Sequence, residues 1–152
     1  MPQFILKDLQ DAARIMGVQL HVANVSNECD IDVAFPALVQ KQVGALIIPG
    51  FAFLLSHRRQ IIALAARHAI PTVYSERENV VDGGLISYGP SQADAYWAAG
   101  IYVSKILKGT KPADLPVDQL AKFEVTVNLQ TAKAIGIEMP LSLLMRVSEA
   151  IE

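Results

Sequence analysis

Gly44-Ala45-Leu46-Ile47-Ile48-Pro49-Gly50 is the stretch on which the fold turns. A short apolar run closed by proline and glycine suits a fully buried strand, because a parallel sheet covered by helices has no solvated side to alternate with. After it, residues 56–68 carry helical spacing, with Ile61, Leu64 and Ala65 on one face and Arg58, Arg59 and Arg67 elsewhere. Residues 71–74 read as the next strand, 76–82 as a short helix before Gly83-Gly84, and 85–88 as a further strand. Strands separated by helices imply right-handed βαβ units and a mainly parallel sheet. The expected fold class is α/β, a three-layer α/β/α arrangement.

The same punctuation extends both ways. Residues 4–16 have helical spacing and stop at Gly17, a natural position for a left-handed cap. Residues 18–25 alternate, Val18, Leu20 and Val22 opposite Gln19 and His21, as a strand does. Residues 30–40 read as a helix interrupted by Pro36, which predicts a start near Phe35 or a kink there. Ser91 caps the longest helix, with Asp94 three residues on; the helix runs through Trp97, Ile101 and Ile106 and closes at Lys105, Lys108 and Gly109. Two prolines in residues 111–116 predict an extended linker, and residues 123–127 alternate as another strand. Asn128 caps a short helix over 129–135, and Pro140 opens an amphipathic helix to Glu152. One α/β lobe is expected over 1–152, with core βα units in 1–88, the crossover helix and linker in 89–120, and the last strand and helices in 121–152.

Bulk properties narrow the function. The 152 residues carry a formal net charge of −2, so there is no basic footprint for nucleic acid. No run reaches the roughly 18 apolar residues of a membrane span. Met1-Pro2-Gln3-Phe4 lacks the features of a signal peptide. The hydrophobic share, 52%, is high; it fits buried parallel strands or a surface awaiting a partner. The single Cys29 is read as packing or beginning a helix. His21 and His68 have no ligand-spaced neighbours, and no metal or cofactor is expected; G-x-G-x-x-G and Walker motifs are absent.

Parallel sheets bind ligands beyond the carboxyl ends of their strands, which selects three loops. Pro49-Gly50-Phe51-Ala52-Phe53 offers close backbone approach at Gly50, helix-start amides near Ala52, and a ring at Phe51 for stacking, or else two core aromatics. Tyr74-Ser75-Glu76 offers Ser75 as a helix cap and Glu76 for a ligand ammonium, or else a solvated turn. Ser87-Tyr88-Gly89 brings together a hydroxyl, an aromatic ring and a flexible glycine, or else a capped turn. Ser56-His57 are adjacent and are expected to point apart on a helix, so they form no nucleophile–base pair and belong to a solvated surface.

Several ordered stretches together resemble a known family. These are Ala12-Ala13-Arg14-Ile15-Met16-Gly17-Val18-Gln19-Leu20, Gly44-Ala45-Leu46-Ile47-Ile48-Pro49, His68-Ala69-Ile70-Pro71-Thr72-Val73-Tyr74, Gly84-Leu85-Ile86-Ser87-Tyr88-Gly89, Ile106-Leu107-Lys108-Gly109-Thr110-Lys111-Pro112-Ala113-Asp114-Leu115-Pro116 and Asn128-Leu129-Gln130-Thr131-Ala132-Lys133-Ala134-Ile135-Gly136. They are similar to the second lobe of ABC-transporter substrate-binding proteins of the tryptophan/tyrosine-uptake type, with the type I periplasmic-binding-protein fold. The resemblance implies closure of two lobes on a small molecule, an amino acid suiting the residues available, and presentation of the closed form to a membrane permease. It implies a periplasmic place, although family members are about twice this length and carry a signal and a first lobe. On that reading the chain is an expressed piece or a truncated gene product. The missing lobe further predicts a homodimer, with the helix from Ser91 to Lys108 exchanged between copies or, alternatively, a partly exposed monomer. Two other classes compete: an enzyme, for which no nucleophile, base or cofactor loop is present, and a cytoplasmic ligand-sensing module of the same fold.

Overall fold

The computed structural model describes residues 3–117 and 122–152. Met1, Pro2 and the boundary near residue 120 lie outside them. The chain divides into two compact units, one ending at Val43 and the other beginning at Gly44.

The first unit is helical. Helix α1, Gln3–Met16, ends in a Schellman cap: Gly17, at φ 66°, donates to Arg14 O and Val18 donates to Ala13 O. Helix α2, Glu28–Gln40, opens on a full capping box, Asn27 Oδ1 accepting from Asp30 N while the Asp30 carboxylate accepts from Asn27 N. The helix therefore starts seven residues before Phe35 and runs through Pro36, correcting the expected start. Ile31, Phe35 and Leu38 are buried, and this packing with the cap outweighs the missing proline N–H. Cys29 lies in the first turn and is exposed. Residues 18–26 form no strand, although their alternation predicts one. A strand exists only through a paired neighbour, and among the described residues the sheet pairs only the five strands after Gly44.

The second unit holds a five-stranded sheet, β1 Leu46–Ile48, β2 Thr72–Tyr74, β3 Ile86–Pro90, β4 Phe123–Asn128 and β5 Glu149–Ile151, paired in that order. Pairing is parallel except between β3 and β4, whose register runs from Ile86↔Val127 to Pro90↔Phe123. The fold is α/β with a mainly parallel sheet. Between β1 and β2 run α3, Ala52–Ser56, and α4, Arg58–Arg67. The helix expected over 56–68 is α4, starting two residues later, and the short α3 precedes it, ending at Ser56. Helix α5, Arg77–Val81, links β2 to β3, and α6, Gln92–Leu107, follows β3. A 3₁₀ turn at Pro112–Asp114 interrupts the expected extended linker.

Helix α7, Leu129–Ala134, starts where Asn128 accepts from Thr131 N, and α6 starts where Ser91 accepts from Asp94 N, both caps as read from sequence. After α8, Leu141–Leu144, the chain turns into β5 rather than continuing as one helix to Glu152. Parallel pairing of Thr126 with Glu149 and of Asn128 with Ile151 supplies ladder bonds that the local helical pattern could not foresee.

The unit's core gathers Ile61, Ile62 and Ala65 of α4, Val80 of α5, Ala132 of α7, and Thr72, Tyr74 and Val127 of the sheet, all buried. Helix α6 is different. None of its residues is buried, and Trp97 is 72% exposed beside exposed Tyr96, Val103 and Leu107.

Candidate functional site

The carboxyl ends of β1, β2 and β3 lie side by side, because the three strands run parallel. Each feeds a loop that begins a helix, and the loops converge on Glu76. One Glu76 carboxylate oxygen accepts from Gln92 Nε2 at 2.9 Å, which ties the start of α6 to the end of β2. The other carboxylate oxygen lies 3.0 Å from where a Cβ on Gly50 would stand. Glycine at position 50 is what lets that carboxylate sit against the β1 loop. Ser75 Oγ donates to Ile48 O at 3.4 Å and so links the ends of β1 and β2; it does not cap α5, whose cap position is Glu76. Gly89 comes closer still, a Cβ there falling 2.0 Å from Ser75 O.

Beside this cluster is a shallow depression with Gly50, Arg58, Ile61, Tyr74, Glu76 and Asn79 on its walls. Arg58 Nε donates to Asp82 at 2.6 Å, so its charge is matched locally. Asn79 is 4% exposed, and its Oδ1 is buried without a hydrogen-bond partner. The Tyr74 hydroxyl is a second buried atom without one. Burial disfavours its phenolate and pushes the pKa up to about 12, the nearby Thr72 hydroxyl opposing in part.

The structure thus brings together Gly50, Ser75 and Glu76 of the residues singled out from sequence. Phe51 is half-buried at the start of α3 and Ala52 is exposed beside it. Both α3 and α5 have only five residues, a single turn, so their starts add little dipole for an anion. Ser87 is 3% exposed, paired between Tyr74 and Thr126 inside the sheet. Tyr88 projects from the opposite face and stacks on Phe123, centroids 5.3 Å apart. Sequence reasoning missed Asn79, Gln92 and Phe123, and it assigned Arg58 to a solvated surface. Phe123 meets Tyr88 through the β3–β4 pairing, Gln92 reaches Glu76 by a hydrogen bond across sixteen residues, and Asn79 and Arg58 line the depression from α5 and α4, so none carries a local signal.

Charge pairs border the same end. Arg77 forms a two-pronged ion pair with Glu149, Nε at 2.5 Å and a terminal nitrogen at 2.6 Å. Its hydrogen bonds hold the Glu149 carboxyl below the usual carboxylate range and raise Arg77 in turn. Lys122 bridges Glu124 at 3.2 Å and Asp94 at 3.6 Å, which raises its pKa.

Ser56 and His57 do approach, Oγ lying 3.1 Å from Nδ1, which corrects the expectation that they point apart. Ser56 Oγ donates to Phe53 O at 2.7 Å, and His57 Nδ1 lies 2.9 Å from the same carbonyl. The pair caps the end of α3, with His57 Nδ1 held against the Phe53 backbone carbonyl. Among the described residues, no three His, Cys, Asp or Glu side chains gather for a metal.

The family model described as ABC transporter substrate binding protein matches residues 4–151. The chain belongs to that family. Its members are substrate-binding proteins, not enzymes. A tyrosine-binding protein of Clostridioides difficile is 25% identical over 130 residues, which are 86% of this chain and 37% of that protein. Among solved structures, the ABC domain in complex with L-Trp from Streptococcus pneumonia superposes with TM-score 0.86 at 25% identity, covering 98% of this chain and 51% of that one. A conserved domain protein from Vibrio cholerae gives TM-score 0.86 at 22% identity, with 96% and 49% covered. The ABC substrate-binding chain thus spans about half of those solved structures and less of its curated relative.

Proposed function

We propose that this chain is the ligand-binding lobe of the solute receptor of an ABC importer, taking an amino acid at the carboxyl ends of β1, β2 and β3. The observation that carries the reading is the convergence of Gly50, Ser75, Glu76 and Gln92 on one strand end of a family member. Glu76 offers an anion for the ligand ammonium, and Phe51 and Tyr88 offer rings for an aromatic side chain. The relatives support that class, one being named for tyrosine binding and another holding L-Trp. In this reading the lobe works outside the cytoplasm, closes with a second lobe over the ligand, and presents it to a permease. A thermal-shift series over the amino acids tests it: a ligand that prefers the native state raises its melting temperature. L-Trp or L-Tyr is expected to give the largest rise; a flat series contradicts the reading.

The reading extends to a homodimer. Helix α6 leaves Tyr96, Trp97 and Leu107 uncovered, more apolar surface than a solitary helix carries in water. A second copy covers it, exchanged or side by side. Light scattering on the 16.5 kDa chain decides, since twice that mass is expected and a monomer refutes it.

A further inference from the structure

We infer that Asn79 is a specificity-determining residue, its side-chain oxygen accepting from the ammonium of the ligand in the depression beside Glu76; the inference rests on the amino-acid reading above. A buried acceptor with no partner is disfavoured, and in a native core it calls for a compensating role. Asn79 Oδ1 is such an atom, on a side chain 4% exposed at the wall of the depression. The depression has room for one water-sized group, and an ammonium is of that size.

The surrounding chemistry selects a donor. Glu76 stands on the same wall, and only one of its carboxylate oxygens is engaged by Gln92. Glu76 and Asn79 both line the space, and an ammonium brings three N–H groups to meet two such acceptors. A carboxylate or a methyl group brings none. The Arg58 cation nearby does not oppose a second cation strongly, because Asp82 lies 2.6 Å from its Nε. Ile61 and Pro49 make one side of the space apolar, and the lower local dielectric strengthens a hydrogen bond made there.

The test compares L-tryptophan with 3-indolepropionate, which has the same ring and carboxylate but no ammonium, by titration calorimetry on the full chain. Wild type is expected to prefer L-tryptophan. Asn79→Leu is expected to weaken L-tryptophan about tenfold, the scale of one charge-assisted hydrogen bond, and to leave 3-indolepropionate within about twofold. Its ligand-free melting temperature should hold or rise, since an orphaned acceptor has gone. Asn79→Asp, which puts a carboxylate where the amide oxygen stands, should strengthen the preference for L-tryptophan, and an unchanged preference there overturns the inference if the leucine variant does not fold. Unchanged L-tryptophan affinity in Asn79→Leu, or an unchanged ratio in both variants, overturns the inference and leaves the amino-acid reading standing, with a resident water as the partner of Asn79. Equal wild-type affinity for the two compounds overturns the ammonium contact, and no binding of either overturns both.

Discussion

Substituting Gly89 by alanine perturbs the junction on which the site depends. Gly89 lies in β3, registered against Glu124, and an added Cβ would stand 2.0 Å from Ser75 O and 3.1 Å from Ser75 C. Both atoms are backbone, so no side chain can rotate away. Real Cβ contacts essentially never fall under 3.0 Å, and the strand end must open by about 1 Å. It cannot open toward β4, where five registered pairs hold it, so it parts from the end of β2, beside Glu76. Overpacking of this kind costs about 1–3 kcal/mol. At roughly 2–4 °C per kcal/mol for a chain of this size, the melting temperature should fall by about 5 °C. Gly44→Ala is the control: nothing lies within 4 Å of its Cβ, and it should stay within about 0.5 kcal/mol of wild type. Calorimetry and urea melts on the three proteins, side by side, measure the difference. If Gly89→Ala melts with wild type and Gly44→Ala, the close approach of β3 to Ser75 is not what seats the loop.

Three more outcomes follow from named groups. Tyr74 should ionise near 12 in an ultraviolet titration; because the folded phenol holds its proton longer than the unfolded one, stability should fall as pH rises from about 10 toward 12, and Tyr74→Phe should remove that fall at no cost in stability at pH 7. Glu149 is held below the usual carboxylate range by Arg77, so the stability it adds is present above the unfolded value of about 4.3 and lost as pH drops through the lower folded value; the gap between wild type and Glu149→Gln should therefore close in acid, and a gap independent of pH would contradict the pairing. Asn27→Ala removes half of the α2 capping box and should cost about 1 kcal/mol, read as a loss of helical circular dichroism at a lower midpoint.

How much of this could be read from residues alone depends on how local the cause is. Leu46–Ile48 and Thr72–Tyr74 are apolar runs bounded by breakers, and both are strands. Ser91, Asn128 and Gly17 act within one turn of themselves, and each caps as expected. The misses are long-range. Residues 18–25 alternate without a neighbour to pair with, whereas Glu149–Ile151 becomes a strand because β4 is there to receive it. Pro36 reads as a break, yet the capping box at Asn27 and Asp30 and the buried Phe35 keep the helix whole. At the site, Gly50, Ser75 and Glu76 were legible from the strand-end rule. Asn79 and Gln92 were not, since the first is singled out by an unpaired buried oxygen and the second by a bond reaching across sixteen residues.

The measurement closest to the central claim is a two-dimensional ¹⁵N–¹H spectrum of the chain titrated with L-tryptophan. Binding at the strand ends predicts saturable shifts at the amides of Gly50, Ser75, Glu76 and Gly89, with Gly83 and Thr131, which meet at the far end of β3, staying still. Shifts centred on Gly83 and Thr131, or none at any concentration, would contradict it.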